Sequence, residues 1–143
     1  MTVVVDANFS LALVLPLPYS PAVIRRMHAW QQEQPRLLAP GLWEYEVVAG
    51  LRRAWYLRLL SLEQVQTSLD ELLAMELEVV PASPGLHRHA LEWAERLGQS
   101  RACDAQYLAL AERESAELWT GDRRLANGVR ALGADWVHWA GET

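Results

Sequence analysis

Short apolar runs of strand length alternate with longer stretches of helical periodicity along the whole chain, and this alternation restricts the fold more than any other feature. Val3-Val-Val-Asp6 reads as a strand buried on both faces, because β-branched residues follow one another without an intervening polar residue. Arg36 to Pro40, Leu77 to Val80 and Glu117 to Thr120 supply three more strands, and Asp135 to His138 a short fifth one at an edge. Asn8 is placed to cap a first helix through Phe9, Leu11 and Val14, stopped by Pro16 and Pro18. Helices then run from Ser20 to about Gln34, from Gly41 to Leu59, and from the Ser61-Leu-Glu-Gln64 capping box to about Met75. Three more cover Pro84 to Leu97, Ala102 to Glu114 and Arg123 to Leu132, the first and last ended by Gly98 and Gly133. Such an order predicts an α/β fold: a three-layer α/β/α sandwich around a mainly parallel sheet of four or five strands. The 143 residues are expected to form one domain, 1–143. Consecutive helices between the second and third strands set it apart from a plain dinucleotide-binding unit.

A net charge of -5 argues against a protein that coats nucleic acid with a basic surface. All 13 cationic side chains are nevertheless arginine, each with the planar fork that grips a phosphate through two hydrogen bonds. No apolar run approaches the ~18 residues that span a bilayer, and the N-terminus lacks the pattern of a signal peptide, so a cytoplasmic protein without membrane contact is expected. Cys103, the sole cysteine, has no internal disulfide partner and reads as a packing residue. Seven tryptophans exceed what a core of this size readily absorbs, which predicts that some cover a subunit interface.

Parallel sheets bind ligands at the carboxyl ends of their strands, and acids stand there. Asp6 ends the first strand, and Asp122 follows the fourth in Thr120-Gly-Asp-Arg-Arg-Leu125. Asp104 falls in the first turn of a helix, where the macrodipole alone would favour it, and Asp122 would equally serve as a helix cap. Glu44 and Glu46 lie on one helix but point to different sides, and periodicity does not choose between them. His87 and His89 have no second pair in sequence to complete a metal site and fit a surface helix.

Taken together, Val-Val-Asp6-Ala-Asn8, Pro40-x-Leu42 with Glu46-Val-x-x-Gly50-Leu-Arg-Arg53, Asp104-Ala-x-Tyr-Leu-Ala-Leu-Ala111 and Thr120-Gly-Asp122-Arg-Arg-Leu125 resemble the PIN domain, most closely the VapC-type toxins. The resemblance implies that Asp6, Glu46, Asp104 and Asp122 form an acidic quartet that binds divalent metal and carries catalysis, with Asn8 and Thr120 in support. It also selects Glu46 over Glu44. Ala49 stands where many relatives have Asn, and Cys103 where an aromatic is frequent. Four carboxylates in one cleft would repel by roughly 3 kcal/mol per pair at ~5 Å with an effective dielectric near 20. Mg²⁺ or Mn²⁺ relieves that repulsion, and all-oxygen ligands suit those ions better than zinc.

The function implied is a metal-dependent endoribonuclease that hydrolyses RNA phosphodiesters, with Arg53, Arg123 and Arg124 as candidate phosphate contacts. Its expected partners are a small antitoxin, which inserts a basic side chain towards the quartet, and a second copy that meets helices of the first half of the chain. One alternative is a PIN-fold nuclease of RNA processing or decay without an antitoxin. Another is a non-catalytic scaffold, which would be expected to lose part of the quartet. A response-regulator-like phosphoacceptor domain is disfavoured, since it needs a late lysine and the chain has none.

Overall fold

The computed structural model describes residues 1–142, in the order β1 (Thr2–Val5), α1 (Ala7–Leu11), α2 (Ser20–Glu33), β2 (Arg36–Pro40), α3 (Leu42–Tyr56), α4 (Leu62–Leu73), β3 (Leu77–Val80), α5 (Pro84–Leu97), α6 (Cys103–Arg113), β4 (Glu117–Thr120), α7 (Arg123–Ala131) and β5 (Val137–Trp139). The strands form one sheet in the order β3-β2-β1-β4-β5, and every neighbouring pair is parallel. β1 is central, with Val3 opposite Leu37 on one side and Glu117 on the other.

Its three valines are fully buried because both faces are covered. Val4, Leu38, Leu118 and Val137 turn to the larger core, packed by Trp43 and Val47 of α3, Leu72 of α4, Trp93 of α5, Leu108 of α6 and Val129 of α7. Val3, Val5 and Trp119 turn the other way, onto Phe9 of α1 and Val23 and Trp30 of α2. That smaller core is aromatic: Phe9 stacks on Trp30 at 5.5 Å, and Trp30 meets Trp119 edge-on at 5.9 Å.

Four local expectations are corrected. β1 ends at Val5, and Asp6 rather than Asn8 caps α1: its backbone is extended and its carboxylate accepts the Phe9 N–H at 2.8 Å. α3 stops at Tyr56, three residues early, because Arg58 takes a left-handed φ of 62°. The Arg58 and Leu59 amides fold back onto the Trp55 and Ala54 carbonyls, closing the helix as glycine usually does. β5 is displaced to Val137–Trp139, where it pairs with Leu118 to Thr120. Six of the seven tryptophans, finally, are absorbed by the fold: Trp30, Trp43, Trp93 and Trp119 are buried and Trp136 and Trp139 pack half-buried against the larger core, whereas Trp55 of α3 belongs to neither core and lies under Arg52.

Among the described residues no helix is long and apolar enough to cross a membrane. The expected capping box of α4 is present in both directions, Ser61 Oγ accepting the Gln64 amide and Gln64 Oε1 accepting that of Ser61. Ser61→Ala removes one of the two bonds and is expected to lower stability by about 1 kcal/mol. Urea unfolding followed by circular dichroism checks this.

Candidate functional site

The strand order reverses between β1 and β4, and the crevice outside their carboxyl ends is where an open parallel sheet offers a site. Asp6 stands at this point with 6 % of its surface exposed. Its Oδ1 accepts the Phe9 amide at 2.8 Å and the Gly121 amide at 3.1 Å, while Oδ2 accepts the Thr120 hydroxyl. Thr120 Oγ1 also accepts the Asp122 amide at 2.9 Å, so one hydroxyl couples the two aspartates. Gly121 is required for this closeness. A Cβ there would lie 2.6 Å from that of Asn8 and 2.8 Å from the Asn8 carbonyl carbon, which is backbone and cannot swing aside.

Asp6, Glu46 and Asp104 line one cleft of about 280 Å³ together with Asn8, Arg53 and Tyr107. Asp122 does not line it. It caps α7 by accepting the Leu125 amide at 3.1 Å, and its charge reaches Asp104. Of the two glutamates left open by periodicity, Glu46 faces the cleft and Glu44 is exposed outside it. The arginines part company. Arg53 lines the cleft, Arg123 lies 5.0 Å over the Trp139 ring, and Arg124 is an exposed residue of α7 outside the lining.

Tyr107 stands in the Asp104 to Ala111 motif without an assigned role, because its spacing places it with the apolar residues of α6. It is buried and donates its hydroxyl to Glu46 Oε1 at 2.6 Å. Tyr19 also escaped notice; its hydroxyl donates to the Asn8 carbonyl at 3.2 Å. The local pattern gives neither a role at the site; the buried contact of Tyr107 with Glu46 and the reach of half-buried Tyr19 to Asn8 emerge only in the fold. Cys103 is exposed rather than packed, at the first residue of α6. His87 and His89 occupy the surface of α5 and serve as hydrogen-bond partners of Gln106 and Glu112.

The acids feel one another. Burial raises the Asp6 carboxyl from 3.8 to about 6, against the opposing pull of its three hydrogen bonds, and the Asp104 charge adds to the rise. Glu46 is raised by burial and by Asp104, offset by the Tyr107 hydroxyl. Asp104 is raised by burial and by Asp122, offset by Gln99. Burial, with the charges of Asp6 and Asp122, pushes the Tyr19 hydroxyl up to about 12.

Each acid has an oxygen pinned by the protein. Those are Asp6 Oδ1, Glu46 Oε1, Asp104 Oδ2, held by Gln99 at 3.4 Å, and Asp122 Oδ1. Glu46 Oε2, Asp104 Oδ1 and Asp122 Oδ2 have no hydrogen-bond partner among the described residues, and Asp6 Oδ2 keeps a spare lone pair. Anchored carboxylates with oxygen lone pairs to spare, without nitrogen or sulfur, are a donor set that fits a hard divalent cation. The four share a neighbourhood rather than a closed ligand shell: among the described residues, no three His, Cys, Asp or Glu side chains are drawn together tightly enough to hold an ion.

A wholly parallel five-stranded sheet with an acidic cleft at its point of reversal defines an α/β protein with a hard-oxygen site. The chain belongs to the PIN domain family, whose model matches residues 3–129. Its fold is similar to that of a toxin-antitoxin complex from Klebsiella pneumoniae, at 17% identity and a TM-score of 0.68 over 99% of each chain. It is likewise similar to VapBC2 from Rickettsia felis bound to a DNA fragment from their promoter, at 16% identity and a TM-score of 0.67 over 97% of each chain. A third likeness is to Mycobacterium tuberculosis VapC20, described as a sarcin-ricin loop cleaving toxin, at 16% identity and a TM-score of 0.66 over 90% of this chain and 94% of that one. At these identities the likeness is one of fold. No curated protein matches the sequence.

The Asp6 shift has a stability consequence. The folded chain keeps this proton between pH 4 and 6 while the unfolded chain loses it, so stability in metal-free protein falls as pH rises through that window. About two pH units at ~1.4 kcal/mol each make the loss about 3 kcal/mol above pH 6. Asp6→Asn should reduce the fall, leaving the share due to the raised Glu46 and Asp104 carboxyls, and in EDTA at pH 8 should be ~1–3 kcal/mol more stable than wild type, less than the full amount because the Thr120 bond must reverse. Denaturant titrations from pH 4 to 8 test this, and a variant less stable at pH 8 would mean that the three hydrogen bonds outweigh the charge.

Proposed function

We propose that this chain is a divalent-metal-dependent endoribonuclease that hydrolyses RNA phosphodiesters in the cytoplasm as the toxin of a VapBC-type toxin-antitoxin pair. The observation that carries this is the gathering of one buried and three half-buried carboxylates, anchored by the protein and with oxygen lone pairs to spare, at the reversal point of a PIN-domain sheet. Similarity to toxin-antitoxin complexes and to a toxin described as cleaving the sarcin-ricin loop supports the choice of RNA and of an antitoxin partner.

In this assignment Asp6, Glu46, Asp104 and Asp122 hold Mg²⁺ or Mn²⁺, which when bound supplies a water of lowered pKa and neutralises charge at the phosphate. The protein's own groups supply the rest. Thr120 and the Phe9 and Gly121 amides fix the rotamer of Asp6, and Tyr107 does so for Glu46. Arg53, in the cleft, offers its fork to a non-bridging phosphate oxygen, and Asn8 presents a neutral amide at the mouth. Trp139, beneath Arg123, makes that residue the less available of the flanking cations.

Purified protein incubated with structured and unstructured RNAs should cleave internally with Mg²⁺ or Mn²⁺ and be silent in EDTA. Asp6→Asn and Asp104→Asn should each lower the rate ~100-fold or more. Cleavage that persists in EDTA, or in both variants, would refute the assignment.

The apolar excess that the tryptophans do not provide lies on α3, α4 and the turn joining them, where Tyr45, Val48, Tyr56, Leu59, Leu62 and Leu73 are exposed. This face, with Tyr45 left outside it at the rim of a neighbouring hollow, supports a homodimer with the antitoxin alongside. An Arg or Lys from the antitoxin, inserted towards the acids, would inhibit by occupying their field. Light scattering should give twice the 16.2 kDa monomer mass, and Leu59→Glu with Tyr56→Glu should halve it.

A further inference from the structure

Beside the acidic cleft, at the carboxyl ends of β2 and β3, lies a second and larger hollow of about 440 Å³, within the ~300–1,000 Å³ that small organic groups occupy. Its walls are the first turns of α3, α5 and α6, and its apolar surface includes Pro40, Leu42, Val80 and Leu86. Resting on the nuclease assignment, we propose that this groove is a nucleobase subsite, which takes the base of a nucleotide next to the phosphate held in the acidic cleft.

Three observations converge on a base. The groove adjoins the acidic cleft through the chain itself, because Tyr45 on its wall precedes Glu46, and Cys103 precedes Asp104. Charge is segregated: the acidic cleft carries Asp6, Glu46, Asp104 and Arg53, whereas no Asp, Glu or Arg lines the groove. A phosphate therefore belongs in the first and a neutral ring in the second.

The groove also carries the two kinds of contact a base requires. Tyr45, 76 % exposed, stands at its rim with its ring available for stacking. Gln106 Nε2 and His87 Nδ1 lie 3.2 Å apart. With that Nδ1 accepting, Gln106 Oε1 and the His87 Nε2–H are left without a partner among the described residues, an acceptor and a donor side by side. Adjacent donor and acceptor is the pattern on a base edge, and an unpaired base presents that edge to protein.

Cys103, the chain's only thiol, lines the groove and reports on it directly. Its alkylation by iodoacetamide should be slowed by millimolar adenosine, cytidine, uridine or inosine. At least one nucleoside should protect wild type, protect Gln106→Leu less and Ala82→Trp, which fills the hollow, not at all. Nucleosides carry no phosphodiester, so this readout is independent of cleavage.

In a second arm, removing one base at a time from a cleaved RNA should lower kcat/KM about tenfold at a single position, the size expected of one base stack, with no such dependence in Ala82→Trp. Thermal melts establish that both variants fold, and a variant that does not is replaced by Tyr45→Ala, on the surface. Absence of protection by every nucleoside overturns the subsite even if RNA is cleaved. Slowing that follows protein concentration instead assigns the groove to a second copy and equally overturns it. Protection without cleavage under any metal keeps the base site and overturns the nuclease.

Discussion

The carboxylate of Asp6 joins three parts of the chain that would otherwise end separately. By accepting from Phe9 it starts α1, and by accepting from Thr120 and Gly121 it fastens the end of β1 to the end of β4 and to the turn that leads into α7. These bonds span more than a hundred residues of sequence and meet at the point where the sheet changes direction. A neutral residue of the same size would tie the same elements. Only an acid also leaves a lone pair facing the cleft. The necessity of Gly121 follows from this knot, because the turn must pass almost against the backbone of Asn8.

The knot also accounts for how like charges are tolerated together. Asp6 and Asp122 cap helices, and Asp104 sits in the first turn of another, so three of the four acids stand at the positive ends of α1, α7 and α6. Glu46 has no such end to lean on and is held by a buried tyrosine instead. Glu46, Asp104 and Asp122 are each anchored through one oxygen and Asp6 through both, which fixes orientation without using up every lone pair. The fold thereby bears a standing cost, chiefly that of burying these charges and secondarily that of their mutual repulsion, expressed in the raised proton affinities of Asp6, Glu46 and Asp104.

Much of this was legible in the chain. Runs such as Val3 to Val5 and Glu117 to Thr120 can be little else than buried parallel strands, and the cap at Ser61 and the stop at Gly98 mark their helices by local chemistry alone. What escaped depends on contacts distant in sequence or on conformations any residue can adopt. Arg58 ends α3 in a backbone state usually left to glycine. Asp6 outcompetes Asn8 as cap because its carboxylate is simultaneously held by β4, which no local window contains. Tyr107 looked like core and is core, except for its last atom. The tryptophans misled by number: two aromatic-lined faces, one on each side of a central sheet, hold more indole than a single core would. Periodicity does not separate Glu44 from Glu46; the resemblance selects Glu46, and the physical reason is its meeting with Tyr107.

β1 lies in the middle of the sheet although it is the first strand to be made. Its outer neighbour β4 spans Glu117–Thr120, and Asp122 follows. During synthesis the first valines must therefore wait, with one edge unpaired, until some hundred and twenty residues have left the ribosome. Asp6 is thus separated by most of the chain's translation from Thr120 and Gly121, which fasten its carboxylate, and a product lacking the last quarter holds the lining residues of the cleft without the strand that orients Asp6. The order of the strands acts as a timer, one that leaves Asp6 unfastened in every nascent fragment until β4 and the turn after it have been translated.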